Sequence, residues 1–205
     1  MIRSAIYNTL ILRLTARWYA AVLRRLPDDA RVLDVGIGTA GALLANAELV
    51  ARKRLEVTGI DIDGDYIAHA RGAVARSAIR ERVQLRQESI DDHRGGPFDA
   101  VYFSASLMLL PEPERALRHA CSLLAPGGRL YLTQTIQQRP APWLERLKPA
   151  LRWLTSIDFG HVTYADALRE QIQSAGLTLD EFTTLADHGA RASIIAVAKT
   201  ADTGA

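Results

Sequence analysis

Residues 31–41, RVLDVGIGTAG, run a nearly continuous apolar strand segment straight into a glycine-rich turn, and that turn straight into a helical pattern. Few folds accept that order. Glycines at 36 and 38 let the backbone turn tightly and approach a ligand, and the helix that follows offers it unpaired N–H groups. The strand is apolar at most positions rather than at alternate ones, which calls for cover on both faces of its sheet. Strand patterns at 31–35, 56–61, 83–87, 98–103 and 128–134 alternate with helical patterns at about 40–53, 64–78 and 112–124. That rhythm predicts a doubly wound α/β sheet with mostly parallel strands.

The chain changes character after residue 135. Residues 164–175 read as a helix, with Thr163 as N-cap and Gly176 as the stop. Strand patterns at 177–185 and 192–199 follow, joined by too few residues for a crossover, so one antiparallel strand is expected near the C-terminus. Residues 136–160 fit neither pattern: they hold Pro140, Pro142 and Pro149, leucines at helical spacing, and Trp143 and Trp153. With Trp18, all three tryptophans fall outside the five-strand core. We read residues 1–205 as one domain. Residues 1–27 form an N-terminal helical cap, 28–135 a ligand-binding core, 136–160 a cap insertion, and 161–199 a helix and strand hairpin.

Composition narrows the function classes. The chain has 205 residues, 48% hydrophobic and 23% charged, enough for one sizeable core. Its longest apolar runs, such as 193–198, fall far short of the roughly 20 residues that span a bilayer. A single cysteine, Cys121, suits a reducing compartment, so a cytoplasmic location is expected, and its helical, partly apolar setting argues against a catalytic thiol. The net charge of +2 conceals an asymmetry: five arginines and no acid precede Pro27, whereas the remainder carries 20 basic and 23 acidic residues. A nucleic-acid binder would spread its basic stripe over the body. The basic segment reads as a helix packed through Ile6, Leu10, Leu14, Trp18, Val22 and Leu26, with a polar face that also suits a membrane surface.

The glycine turn admits two readings. Gly36, Gly38 and Gly41 spell G-x-G-x-x-G, and Asp61 falls 20 residues after the last glycine, the spacing of a dinucleotide site with its ribose-binding acid. Three features point away from NAD. Asp34 stands two residues before the first glycine and favours a cationic ligand over a pyrophosphate. No second domain that could hold a hydride acceptor is expected after the core. A Pro-Gly-Gly turn at 126–128 separates a helix from a strand. Asp91, Asp92 and His93 suggest a metal site, but adjacent residues do not converge on one ion, so no metal is expected.

Taken together, VLDVGIGTAG, VTGIDID, FDAVYFSASLMLL and LLAPGGRLYL resemble the motifs of class I S-adenosylmethionine-dependent methyltransferases. The resemblance covers roughly residues 28–135, continues in strand order to the end, and lies with the small-molecule, quinone and natural-product branch. It implies a Rossmann-like fold and S-adenosylmethionine as cofactor, leaving S-adenosylhomocysteine as product. It also implies site residues. Asp34 would hold the glycine loop and the methionine amino end, with Gly36, Gly38, Thr39 and Gly41 around the cofactor. Asp61 would bind both ribose hydroxyls, and Ile62 would stack on adenine. Glu88, with Ser89 beside it, would meet the adenine amino group, and Ser104 would lie between cofactor and acceptor. Ala40 stands where the family usually has its third glycine, which implies a slightly shifted loop.

Methyl transfer is a direct displacement in which the protein mainly aligns the reactants. A general base is needed only for a protonated or unactivated acceptor, and His161, Tyr7 and Tyr164 are the candidates in or beside the cap segments. The segment after the fourth strand reads SASLMLLPEP, without the stacking element that base-flipping enzymes need, which argues against nucleic acid. The tryptophan-bearing caps point to a small aromatic or apolar acceptor. The alternatives are a lipid or quinone acceptor reached at a membrane surface, and a non-catalytic subunit that binds the cofactor for a partner.

Overall fold

In the computed structural model, residues 2–138 and 164–200 are described, with side chains from Leu12 onward. Most of the expected cap insertion, including Trp143 and Trp153, lies outside the described residues, as does His161. The described chain runs α1 (Ile2–Arg25), β1 (Arg31–Val35), α2 (Gly41–Leu44), α3 (Ala47–Arg52), β2 (Glu56–Asp61), α4 (Gly64–Ala75), β3 (Val83–Gln87), β4 (Phe98–Ser104), α5 (Pro113–Ser122), β5 (Leu124–Gln137), α6 (Ala165–Ser174), β6 (Leu177–Asp187) and β7 (Arg191–Thr200). The strands form one sheet in the order β3-β2-β1-β4-β5-β7-β6. β1 pairs in parallel with β2 and β4, and β4 pairs in parallel with β5. The antiparallel strand expected near the C-terminus is β7, which lies between β5 and β6.

Successive side chains of a strand point to opposite faces, so β1 feeds two cores. Val32 joins Val57, Ala100, Tyr102 and Tyr131 under α1, α3 and α4, whereas Leu33 and Val35 join Val101, Phe103 and Leu132 under α5 and α6. The apolar runs read from the sequence reflect this double burial.

α1 docks through Trp18, Tyr19, Val22 and Leu23, and Leu26 just beyond its end continues that buried face. The spacing is the i, i+3, i+4 recurrence of an amphipathic helix, and a side chain such as Leu23 contributes roughly 1.5–3 kcal/mol on burial. Three polar ties complete the docking. Lys53 Nζ donates to the carbonyls of Leu23 at 3.2 Å, Arg24 at 3.0 Å and Leu26, placing a cation at the negative end of the helix. Asn46 Nδ2 donates to Ala16 O at 2.9 Å and to Ala42 O at 2.8 Å. Arg25 forms a two-pronged pair with Glu181 on β6, at 2.7 and 3.1 Å.

The Asn46 contact accounts for one departure from expectation. The helix predicted over 40–53 is broken into α2 and α3, because Asn46 turns its side-chain donor onto helix carbonyls instead of continuing the ladder. The strand expected at 128–134 is also longer, since 124–127 pairs in part with the start of β4 before a bulge.

Replacing Lys53 by methionine keeps the apolar stem and removes the cation from the end of α1. The expected result is a loss of about 1–2 kcal/mol in urea unfolding, with the secondary structure content unchanged by circular dichroism.

Candidate functional site

The parallel strands β1 to β4 all end on one side of the sheet, and the strand order reverses between β1 and β4. Open α/β sheets bind ligands in the crevice at such a reversal. The glycine turn lies there. After Val35 the backbone hooks over its neighbour: Gly36 and Ile37 both donate to the carbonyl of Ile60, at 2.8 and 3.1 Å. Gly38 then donates to Asp61 Oδ2 at 2.9 Å, and Asp61 Oδ1 accepts the N–H of Asp63 at 3.0 Å. The half-buried Asp61 carboxylate therefore pins the loop and retains acceptor capacity on both oxygens.

The three glycines do different work. A Cβ on Gly36 would meet Ser106 Cβ at 2.5 Å, so this glycine admits a side chain from beyond β4, whose hydroxyl donates to Val35 O. A Cβ on Gly41 would meet Leu12 of α1 at 3.0 Å. Gly38, at φ +57°, has no heavy atom within 4 Å of that point, so it alone of the three presents backbone to open space. Of the three glycines predicted around a ligand, only Gly38 has open space at its Cβ position, and the Cβ positions of Gly36 and Gly41 are backed by packing. Thr39 is exposed beside it. Ala40 has φ +59°, so alanine keeps the left-handed geometry that glycine favours, and the strain is carried locally. Ser106 was not singled out in the sequence, where nothing marks it as the residue that fills the notch at Gly36.

Asp34 does not hold the loop, contrary to expectation; Asp61 does. Asp34 lies within β1 and points to the face covered by α1, where it is 1% exposed. Its two oxygens accept from the Tyr19 hydroxyl at 3.1 and 2.9 Å. Tyr19 was not singled out in the sequence, although it lies on the buried face three residues before Val22. Its ring meets Tyr102 edge-on with centroids 4.9 Å apart, and the Tyr102 hydroxyl pairs with Thr133 Oγ1 at 2.8 Å. Burial pushes the Asp34 carboxyl up to about 7; the Tyr19 bond draws it back in part, and the Asp61 charge adds a smaller upward push. Burial also holds the Tyr19 phenol well above its usual range.

The remaining candidates occupy the rim. Ile62 is 73% exposed next to Asp61. Glu88 follows β3, and its N–H donates to Asp61 O at 3.1 Å. Its Oε1 lies 2.6 Å from His93 Nδ1. Ser89 Oγ accepts the N–H of Asp91 at 3.3 Å, capping the short turn at 90–92. Ser104 closes β4 with its hydroxyl buried and close to that of Tyr102. Tyr7 lies in α1, but its side chain is outside the described set, and Tyr164 opens α6 in a half-buried position. Asp91 and His93 do not converge: Asp91 pairs with Arg115 at 3.0 Å, while His93 turns inward. Burial pushes the Cys121 thiol up to about 11, which leaves it without nucleophilic character near neutral pH.

Alanine at Gly38 costs about 1–2 kcal/mol of left-handed strain and fills the open cradle, whereas alanine at Gly36 adds the clash with Ser106 and destabilises more; paired urea titrations would show the order. Asp34 has a raised carboxyl in the folded state, so its stabilising contribution is complete below about pH 4 and is lost as pH rises through about 7. Asp34→Asn should flatten the fall in stability between those limits, measured by denaturation at stepped pH.

Comparison with known proteins agrees with this layout. A methyltransferase-domain family model matches residues 7–181. The ubiquinone biosynthesis O-methyltransferase of Xanthomonas axonopodis pv. citri is 33% identical over 163 residues, covering 76% of this chain and 65% of that protein. Its counterpart from Xanthomonas campestris pv. campestris is 39% identical over 126 residues, covering 60% of this chain and 49% of the other. The chain thus spans less than two thirds of the length of these relatives. Among solved structures, the [4+2]-cyclase SpnF superposes with a TM-score of 0.73 at 19% identity, covering 90% of this chain and 81% of that one. The geranyl diphosphate C-methyltransferase of Streptomyces coelicolor A3(2) gives a TM-score of 0.70 at 12% identity, covering 92% and 79%. At such identities the likeness is one of fold, and a cyclase among the neighbours shows that the fold hosts other chemistry. With a family model spanning most of its length and the glycine loop, strand order and strand-end carboxylates in place, the chain belongs to the methyltransferase-domain family.

Proposed function

We propose that this protein transfers the methyl group of S-adenosylmethionine to a small aromatic or apolar acceptor. The observation that carries the reading is the open cradle at Gly38, pinned by the Asp61 carboxylate at the reversal of strand order. In this reading Asp61 accepts from the ribose hydroxyls, Gly38 lets the cofactor approach the backbone, and Thr39 lies beside it. The exposed Ile62 side chain covers one face of adenine, and Glu88 accepts from its amino group. Asp34, its oxygens held by Tyr19, acts on the methionine end through charge from behind the loop, and Ser104 lies at the end of β4. Bound there, the cofactor supplies a methyl group activated by a positively charged sulfur. The chain's own task is to hold the acceptor in line and exclude water.

The choice of acceptor is supported by the curated relatives, which are named for O-methylation in ubiquinone biosynthesis. An oxygen acceptor with an ordinary hydroxyl needs a base, and His161 or Tyr7 is proposed for that role. Replacement of His161 by alanine should lower kcat by about 100-fold and remove the corresponding limb of the pH–rate profile.

A second reading rests on α1, where five arginines and no acid precede Pro27 and Arg13, Arg17 and Leu12 are exposed. Such a helix suits an anionic lipid surface, from which a quinone or lipid acceptor would be drawn. Co-flotation with vesicles containing phosphatidylglycerol, lost in salt and absent with neutral vesicles, is the expected outcome under that reading.

The deciding experiment is calorimetric titration with S-adenosylhomocysteine, beside NAD, on the wild type and Asp61→Ala. We expect micromolar affinity for the first ligand only, weakened at least about tenfold in the variant because a charged acceptor of two hydroxyl donors is removed. Preferential binding of NAD would overturn the assignment. Turnover with a panel of phenolic acceptors then separates an enzyme from a cofactor-binding partner subunit.

A further inference from the structure

His93 is fully buried, yet nothing in the sequence assigns it a task once a metal role is set aside. The turn at 90–92, capped by Ser89, brings the chain back on itself and delivers the imidazole beneath Glu88. Nδ1 lies 2.6 Å from Glu88 Oε1. The other ring nitrogen, Nε2, is buried without a hydrogen-bond partner among the described residues. Gly95 backs directly onto it, since a Cβ there would sit 2.5 Å from Nε2. The ring also packs at a tilt on Phe98, with centroids 5.7 Å apart, and the His93 carbonyl accepts from His119 Nε2 at 2.9 Å. The imidazole is therefore fixed on every side.

The unequal surroundings of the two nitrogens settle the tautomer. A proton on Nε2 would be a buried donor with no acceptor, which is costly, whereas a proton on Nδ1 has the Glu88 carboxylate facing it. His93 thus donates to Glu88. The Glu88 side chain is 25% exposed and its backbone N–H bonds Asp61 O, so one carboxylate oxygen is committed inward while the residue itself stands at the strand end beside Asp61. A carboxylate held in this way is an acceptor of fixed direction.

We propose that His93 is a positioning residue that makes Glu88 select a 6-amino purine over a 6-oxo purine in the bound cofactor. The inference rests on the reading that the site binds an adenosine-containing ligand with Glu88 facing the base. An amino group donates to the fixed oxygen, whereas a 6-oxo group presents an acceptor to an acceptor and is rejected. Without the His93 donor, the Glu88 carboxyl is free to rotate, and that weakens the discrimination.

The test compares the Kd of S-adenosylhomocysteine with that of S-inosylhomocysteine, its 6-oxo counterpart, for wild type, His93→Leu and His93→Asn. The expected wild-type preference for the amino form is at least about tenfold, the scale of a hydrogen bond to a charged group. It should fall towards unity in His93→Leu and recover in His93→Asn, whose side-chain amide replaces the Nδ1 donor. A merely structural role would weaken both ligands equally and leave the ratio unchanged, which would overturn the proposal. Equal binding of both ligands by the wild type would do the same. Binding of neither would overturn the adenosine reading itself and the proposal with it. The imidazole nitrogen shifts of the wild type give a check independent of any variant: a proton on Nδ1 in the free protein is expected, and a proton on Nε2 would refute the assignment.

Discussion

A carboxylate buried inside a central strand is tolerable only if a donor reaches it. Asp34 is such a group, on the strand that lies between β2 and β4, and the donor comes from α1 rather than from the sheet. Tyr19 satisfies both oxygens with one hydroxyl and packs its ring edge-on against Tyr102. The polar requirement of one strand thus selects the helix that covers this face and fixes its rotation. Lys53, Asn46 and Arg25 then hold the helix along its length. A buried carboxylate left with a raised affinity for protons is also well matched to a ligand that brings its own positive charge.

The strand ends show how a short loop can be rigid and still leave room. Two N–H groups of the loop are spent on the carbonyl of Ile60 and a third on the Asp61 carboxylate. Packing with Ser106 on one side and Leu12 on the other backs Gly36 and Gly41 and leaves Gly38 the open glycine of the loop. Asp61 joins three things at once: the glycine loop, the cap of the turn into α4, and the outward acceptor sites. One substitution there would reach all three.

Much of this architecture is legible in the residues. β1, β2 and β4 begin and end close to where the apolar runs place them, because parallel strands covered on both faces need such residues at nearly every position, whereas the edge strand β3 buries Val83 and only part of Leu85. The hairpin of β6 and β7 is legible from the shortness of its link. The split of the first loop helix is not, since the break depends on Asn46 meeting Ala16, 30 residues earlier in the chain. Tyr19 is legible as part of a buried face but not as the partner of Asp34. His93 shows the converse, because its neighbours in sequence suggest a metal while its neighbours in space are a carboxylate, a glycine and a phenylalanine.

The sequence by itself determined the order of strands and helices along the chain and the place of the glycine turn between the first of each. These follow from backbone preference and hydrophobic periodicity, which act over a few residues. Only the tertiary structure decided which glycine faces open space, which carboxylate pins the loop, and which polar side chains are paired in the interior. Those outcomes depend on atoms brought within about 3 Å of each other from segments far apart in the chain, and no local pattern carries that distance.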